Sequence, residues 1–479
     1  MRIPPTRRAM WMAVVGVAPI FFLCVLTHAW THPAVVDGFV ALVARAHLEP
    51  MHGVVICNVR ITDPLADEPG GALDLRIVDG SIVAIGPAAS LAPAPDERVL
   101  EAEGRALTLG LVDAHAAAVF RDPLRRVLPP AIVRDALRLE ARAGVTSVRD
   151  LGSPAAAVRR LAAAVGTRLL GPSIHPGGPW LTLHGEVESA EDPFRHPAES
   201  SPAASTDDVV RAIADLARGE GRWLAVDPPA GGDTPERRAL GEVVARTAKE
   251  RGLRLAVRAL DESQLRWALD AGAGSIEELA RYPDELAPEL VARIAASGAV
   301  IVPLAHLARV AEVGSNGAYE RDRQTRWIGR ASWWGELARL DRAIRARHAS
   351  PEARAADRAR LERFRENLAR LVAARVPIAM GTGAPRPFAF AERPGDEIEA
   401  LAAAGLVGEE LVEACTRSGR LLLDGPRAKP RIAVGAPADL VVWECDPARE
   451  VRCFARPRWV IAAGRVLDGR NDSPARPFL

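Results

Sequence analysis

The strongest chemical cue in this chain is the run Leu107-Thr108-Leu109-Gly110-Leu111-Val112-Asp113-Ala114-His115-Ala116-Ala117-Ala118. An apolar strand ends there in an aspartate and a histidine. Positions i and i+2 of a strand share one side. A His-x-His pair at a strand end therefore sets two imidazoles on one divalent cation, usually zinc. Here His115 stands alone, and the second position is Ala117. Whether the chain is an enzyme turns on whether that loss is isolated or general.

Periodicity predicts the elements that must position these residues. Strand-like text runs over 54–61, 73–78 and 81–85, with the hairpin signal Asp79-Gly80 before the third. The same texture returns at 438–443 and 458–466. These segments predict a small β-sandwich built from both ends of the chain, over 53–108 and 427–470. Between them, amphipathic helices alternate with short buried strands. Helical spacing over 132–143, 240–251, 290–296 and 361–374 leads into strands at 145–148, 253–257, 299–302 and 376–380, with Gly144, Gly252 and Gly298 as stops after the first three. This is the pattern of an α/β protein. The block 109–426 has the length of a TIM-like (β/α)8 barrel with insertions. Residues 189–206 read as a loop and 311–360 as a helical insertion. Trp333-Trp334 in that insertion read as packing residues.

The N-terminal 1–30 form a separate element. Arg2, Arg7 and Arg8 precede an uncharged apolar run from Ala9 to about Leu26. Its length suits a transmembrane helix with the folded part outside the cytoplasm, periplasmic or extracytoplasmic. A cleaved signal ending near Thr27-His28-Ala29, giving a secreted protein, is the competing expectation. Residues 31–52 read as a juxtamembrane linker. A net charge of +1 argues against nucleic acid as a partner; the membrane is the expected partner, and oligomerisation stays open. Export permits a disulfide, for which Cys445 and Cys453 flank a turn, but buried free thiols are the simpler expectation.

Taken together, the chain resembles the amidohydrolase superfamily, nearest its imidazolonepropionase-like and prolidase-like members. The carriers are the runs 79–86, 110–115, 143–152 and 271–277, then Gly381-Thr382 and 435–442. The resemblance implies a barrel with metal-binding strand ends and a sandwich from the two termini. It also implies ligand positions that this sequence does not fill. Beside Ala117, Ala225 stands where a carboxylated lysine or glutamate is expected. Arg258 and Glu278 replace two histidines, and Gly383 replaces an aspartate that would ligate metal and act as base. Only His115 is retained. No histidine occurs between His196 and His306 to substitute for the lost ones.

Catalytic zinc needs about three protein ligands and an open position, so no metal cofactor is expected. His115, His184, Arg258, Glu278 and Thr382 are candidates to line a small-ligand pocket, where Arg258 would grip a carboxylate. Against that stands a purely structural expectation, a buried Arg258–Glu278 ion pair filling the vacated metal position. Asp113 and Asp150 read as structural strand-end residues. The leading expectation is a membrane-anchored pseudoenzyme with a binding or scaffolding role. The alternative is an active hydrolase of carbon–nitrogen bonds, including dipeptides. It would use an altered single-metal site (zinc or another divalent ion) or a metal-free one, with His115, His184 and Glu278 as its groups. A metal-free lyase or isomerase with Glu278 as base is a third.

Overall fold

The computed structural model describes residues 37–38, 40–41, 53–62, 71–117, 130–153, 155–178, 180–183, 200–203, 205–217, 221–228, 235–308, 350–384, 394–425, 427–428 and 430–469. The apolar run 9–26, His184 and Trp333-Trp334 lie outside them. Among the described residues no helix is long and apolar enough to cross a membrane.

Strands from both ends of the chain share one eight-stranded sheet. The N-terminal contribution is β1 (Val54–Ile61), β2 (Ala72–Val78), β3 (Ser81–Pro87), β4 (Arg98–Glu101) and β5 (Ala106–Leu109). Counting strands along the chain, the C-terminal contribution is β15 (Leu440–Trp443), β16 (Pro457–Ala462) and β17 (Arg465–Asp468). The order is β17-β16-β15-β5-β1-β2-β3, with β4 beside β1. The joint is β5, parallel to β1 and antiparallel to β15 with Leu109 opposite Leu440. One face packs Val54, Ile56, Leu75, Leu107, Val442 and Ile461 into a cluster of its own. The opposite face gives Val441, Trp443 and Val460 to the main core. Alternation of apolar residues on both faces is what lets one sheet serve two cores.

The tight turn between β2 and β3 falls at Asp79-Gly80, both with positive φ, the backbone that the Asp-Gly pair accommodates. A second such turn, Ala463-Gly464, was not foreseen: it divides the strand expected over 458–466 into β16 and β17.

The middle of the chain alternates as expected. It comprises β6 (Leu111–Ala116), α1 (Pro130–Arg142), β7 (Val145–Leu151), α2 (Ala155–Ala164), β8 (Ser173–Gly178), β9 (Trp180–Leu183), β10 (Ser200–Ala203) and α3 (Thr206–Ala217). There follow β11 (Trp223–Asp227), α4 (Pro235–Glu250), β12 (Arg254–Arg258), α5 (Glu262–Asp270), β13 (Ser275–Glu277), α6 (Pro288–Ser297) and β14 (Val300–Val302). The last helices are α7 (Pro351–Ala373), α8 (Pro394–Ala403), α9 (Gly408–Cys415) and α10 (Arg417–Asp424). The strands form two parallel sheets, β6-β7-β8 and β10-β9-β11-β12-β13-β14.

Residues 376–384 carry no strand proper, yet they hydrogen-bond to both sheets. Ala379 N–H donates to Ile301 O of β14 at 2.8 Å, and Ala114 N–H of β6 donates to Met380 O at 2.9 Å. Three further expectations are corrected. The loop expected at 189–206 contains β10, paired with β9. Helix α7 starts at Pro351, inside the stretch assigned to an insertion, because Ser350 caps it by accepting from Ala353 N–H at 3.3 Å. Cys445 and Cys453 form a disulfide rather than free thiols, while Cys57 and Cys415 are free.

Candidate functional site

The carboxyl ends of β6, β7 and β13 meet on a charged cluster from which solvent is excluded. His115 Nδ1 lies 2.8 Å from Glu277 Oε2, and both side chains are fully buried. Arg149 of β7 reaches the same carboxylate: its Nη2 donates to Glu277 Oε1 at 2.6 Å. The other guanidinium nitrogens are also committed, Nε to Ala114 O at 2.6 Å and Nη1 to Ser275 Oγ at 2.9 Å. Ser275 Oγ in turn donates to Glu277 Oε1 at 2.5 Å. The guanidinium also stacks on Trp223, 4.4 Å from the ring centroid. Ser275 and Glu277 share one side of β13, so strand alternation places both on this cluster.

Burial would push the Glu277 carboxyl up, but the Arg149 guanidinium and the bonds from His115 and Ser275 outweigh it and hold it below its ordinary range. Burial lowers the Arg149 pKa, with Glu277 opposing the shift; an arginine stays charged regardless. The cluster is thus a buried ion pair extended by a histidine.

A second layer surrounds it. Arg258 pairs closely with Asp227, at 2.8 Å, and only loosely with Glu278, at 3.9 Å. Glu278 bonds instead to Arg281 at 3.1 Å. Arg258 and Glu278 do meet in a buried pair, but a long one; Arg149 and Glu277 form the tighter pair. The reason is local. Strand β13 ends at Glu277, and Glu278 takes a left-handed conformation, φ 65°, beyond the strand's alternation. Trp180 packs between the layers, 5.7 Å from the His115 ring and 5.5 Å from the Arg258 guanidinium.

Asp113 and Thr382 are hydrogen-bonded to one another. Asp113 Oδ1 accepts from Thr382 N–H at 2.9 Å and His115 N–H at 3.1 Å, and Oδ2 accepts from Thr382 Oγ1 at 2.5 Å. Burial nonetheless pushes this carboxyl up to about 6. Asp150 accepts from Ser153 N–H at 3.0 Å and from its hydroxyl at 2.6 Å.

Sequence reasoning missed Arg149, Glu277, Asp227, Trp180 and Trp223. The available signal was a pair of opposite charges inside otherwise apolar strand text, at Val148-Arg149 and Ile276-Glu277. It also passed over His306, in the helical turn after β14. Its Nδ1 lies 2.8 Å from Glu397 Oε2, and Glu397 also accepts from the backbone N–H groups of Ala305 and His306. Among the described residues, the buried His306 Nε2 has no hydrogen-bond partner.

Residues 106–467 match the amidohydrolase family. The chain belongs to the amidohydrolase family. Among solved structures it is similar to bottromycin amidohydrolase, with a TM-score of 0.66 and 21% identity, covering 90% of this chain and 90% of that one. It is likewise similar to a Xaa-Pro dipeptidase with methionine bound in its active site, with a TM-score of 0.65 and 16% identity, covering 87% of this chain and 100% of that one. An ochratoxinase of A. niger gives a TM-score of 0.65 and 18% identity, covering 90% of this chain and 100% of that one. A comparison with curated proteins gives no match.

The divalent metal usual in amidohydrolases does not fit the residues present. His115 turns Nδ1 to a carboxylate that already holds a guanidinium. Arg149 sets a fixed positive charge beside the one retained ligand, which opposes a cation. Among the described residues, His115, Glu278 and Asp113 form no group within ligating reach of one ion. Gly383 shows why the missing aspartate cannot simply be put back. Its φ is +62°, and a Cβ there would lie 2.8 Å from Leu304 Cδ1. Gly383→Asp is expected to lose about 1–3 kcal/mol to strain and crowding. An unchanged urea midpoint would contradict that.

Proposed function

We propose that this amidohydrolase-family protein is a non-hydrolytic relative. In this reading its strands close into a barrel through residues 376–384, and Arg149 and Glu277 have taken over the space of the metal. The observation that carries it is the Arg149 guanidinium, held by Ala114 O, Ser275 Oγ and Glu277. A buried ion pair of this geometry supplies no open coordination site and no activated water. Its role would be binding or scaffolding at the strand ends, where Arg258, Asp227 and Glu278 offer charge to a small polar ligand. The apolar run 9–26 supports export, with the protein either held at the membrane or released after cleavage.

The test is metal content and turnover on the same preparation. Purified protein is expected to carry far less than one equivalent of zinc, and to leave Xaa-Pro dipeptides and N-acyl amino acids uncleaved with or without added zinc. Stoichiometric, tightly held zinc would sink the proposal. One observation favours an alternative, metal-free acid–base chemistry: Glu397 fixes the His306 ring and leaves Nε2 with its hydrogen-bonding capacity unused. Chelator-resistant turnover that disappears in His306→Gln would establish that alternative instead.

A further inference from the structure

Far along the chain from the strand-end cluster, the loop between β15 and β16 brings together two sulfurs and a carboxylate. Ligand atoms of Cys445, Glu450 and Cys453 all lie within 4.8 Å of one another. Cys453 Sγ is 3.9 Å from Glu450 Oε2. Cys453 is buried, and the other two are half-buried. From these positions we infer a reduction-dependent site for a thiophilic divalent cation of the zinc class, formed by Cys445, Glu450 and Cys453 when their disulfide opens.

Three observations carry this. First, the loop does not need the disulfide to keep its shape. Glu444 N–H donates to Arg456 O at 3.0 Å and closes the base of the loop that carries both cysteines. Inside the loop, Arg449 and Glu450 N–H both donate to Asp446 O, and Cys453 N–H donates to Glu450 O at 3.0 Å. The Asp446 carboxylate accepts from Ala448 N–H and pairs with Arg60 of β1 at 2.9 Å. Opening the sulfur bridge therefore leaves the thiols close together. Second, the donor set is right: two thiolates and a carboxylate are zinc ligands, and solvent supplies the fourth. Third, a carboxylate beside two thiols disfavours their ionisation unless a cation compensates. Glu450 pairs with Arg452, whose side chain is largely exposed, at the surface.

The chemistry balances simply. A thiol reductant supplies two electrons and two protons, its own sulfurs becoming a disulfide, and Cys445 and Cys453 become thiols. The incoming divalent cation then displaces both thiol protons to solvent.

Cobalt(II) is the probe, used on the full chain before and after reduction with a water-soluble phosphine that is then removed under inert gas. Reduced protein is expected to bind one equivalent, with thiolate-to-cobalt charge transfer and the intense visible bands of a tetrahedral ion. Oxidised protein is expected to show neither. Glu450→Gln should weaken binding by about tenfold or more, and Arg452→Gln should tighten it by freeing the carboxylate. The paired variant Cys445→Ser with Cys453→Ser should lose the charge-transfer band while Cys57 and Cys415 remain as thiols. Unchanged near-ultraviolet circular dichroism shows that the variants stay folded. Equal binding by oxidised protein, a charge-transfer band that survives in the double-serine variant, or indifference to Glu450→Gln would overturn the assignment.

Discussion

Replacing Arg149 with leucine is expected to lower the unfolding free energy by about 3–5 kcal/mol, a large fraction of the stability of any domain. The loss has a specific origin. Glu277 is fully buried and keeps its charge largely because the guanidinium faces it. Without Arg149 that carboxylate must take up a proton or stay ionised without its cation, and Ala114 O and Ser275 Oγ lose donors as well. Removing both charges at once is a different experiment. A buried ion pair is repaid only partly for its desolvation, so the double variant Arg149→Leu with Glu277→Leu should recover much of the single-variant loss. Urea unfolding of the wild type and the three variants gives the coupling directly. A single-variant loss below about 1 kcal/mol would mean that the buried ion pair contributes little to stability.

The second large effect is in pH. Burial raises the Asp113 carboxyl from 3.8 to about 6, against the bonds from Thr382 and His115. The folded protein therefore holds this proton more tightly than the unfolded chain. The resulting stabilisation is fully present below pH 3.8 and is lost as pH rises through about 6. The span corresponds to roughly 3 kcal/mol. Glu277 has the opposite sign, since its pKa is depressed and its stabilisation fades as pH falls. Comparing wild type with Asp113→Asn cancels that contribution. The wild type is expected to lose stability relative to Asp113→Asn as pH rises across the interval, and a constant difference would refute the assignment.

Much of the framework is legible in the sequence because it is written in local signals. The Asp79-Gly80 turn and the stops at Gly144, Gly252 and Gly298 each depend on residues a few positions apart. The departures from the family's usual pattern are equally local, since Ala117, Arg258 and Gly383 are single letters in recognisable runs. The buried charged cluster is not local. Arg149 and Glu277 come from different strands and are joined only by the fold. Arg258 and Glu278 attract attention as the residues standing where ligands should be. The structure turns one towards Asp227 and the other towards Arg281, Glu278 lying just beyond the strand in a left-handed conformation. The disulfide shows a related limit: spacing across a turn permits it, but the β15–β16 ladder, closed by Glu444 and Arg456, is what brings the two ends of the loop together.

The position of β5 between β1 and β15 has a consequence for how the protein is made. When the ribosome has delivered Leu109, β5 has its neighbour β1 but presents a bare row of backbone groups on its other side. That edge waits until Leu440 emerges, after the whole middle of the chain has been synthesised. An unpaired apolar strand held open that long is an invitation to pair with the wrong chain. Chaperone dependence during biosynthesis should therefore be set by the distance in sequence between the first strands and the last, and a circular permutant joining them early should relieve it.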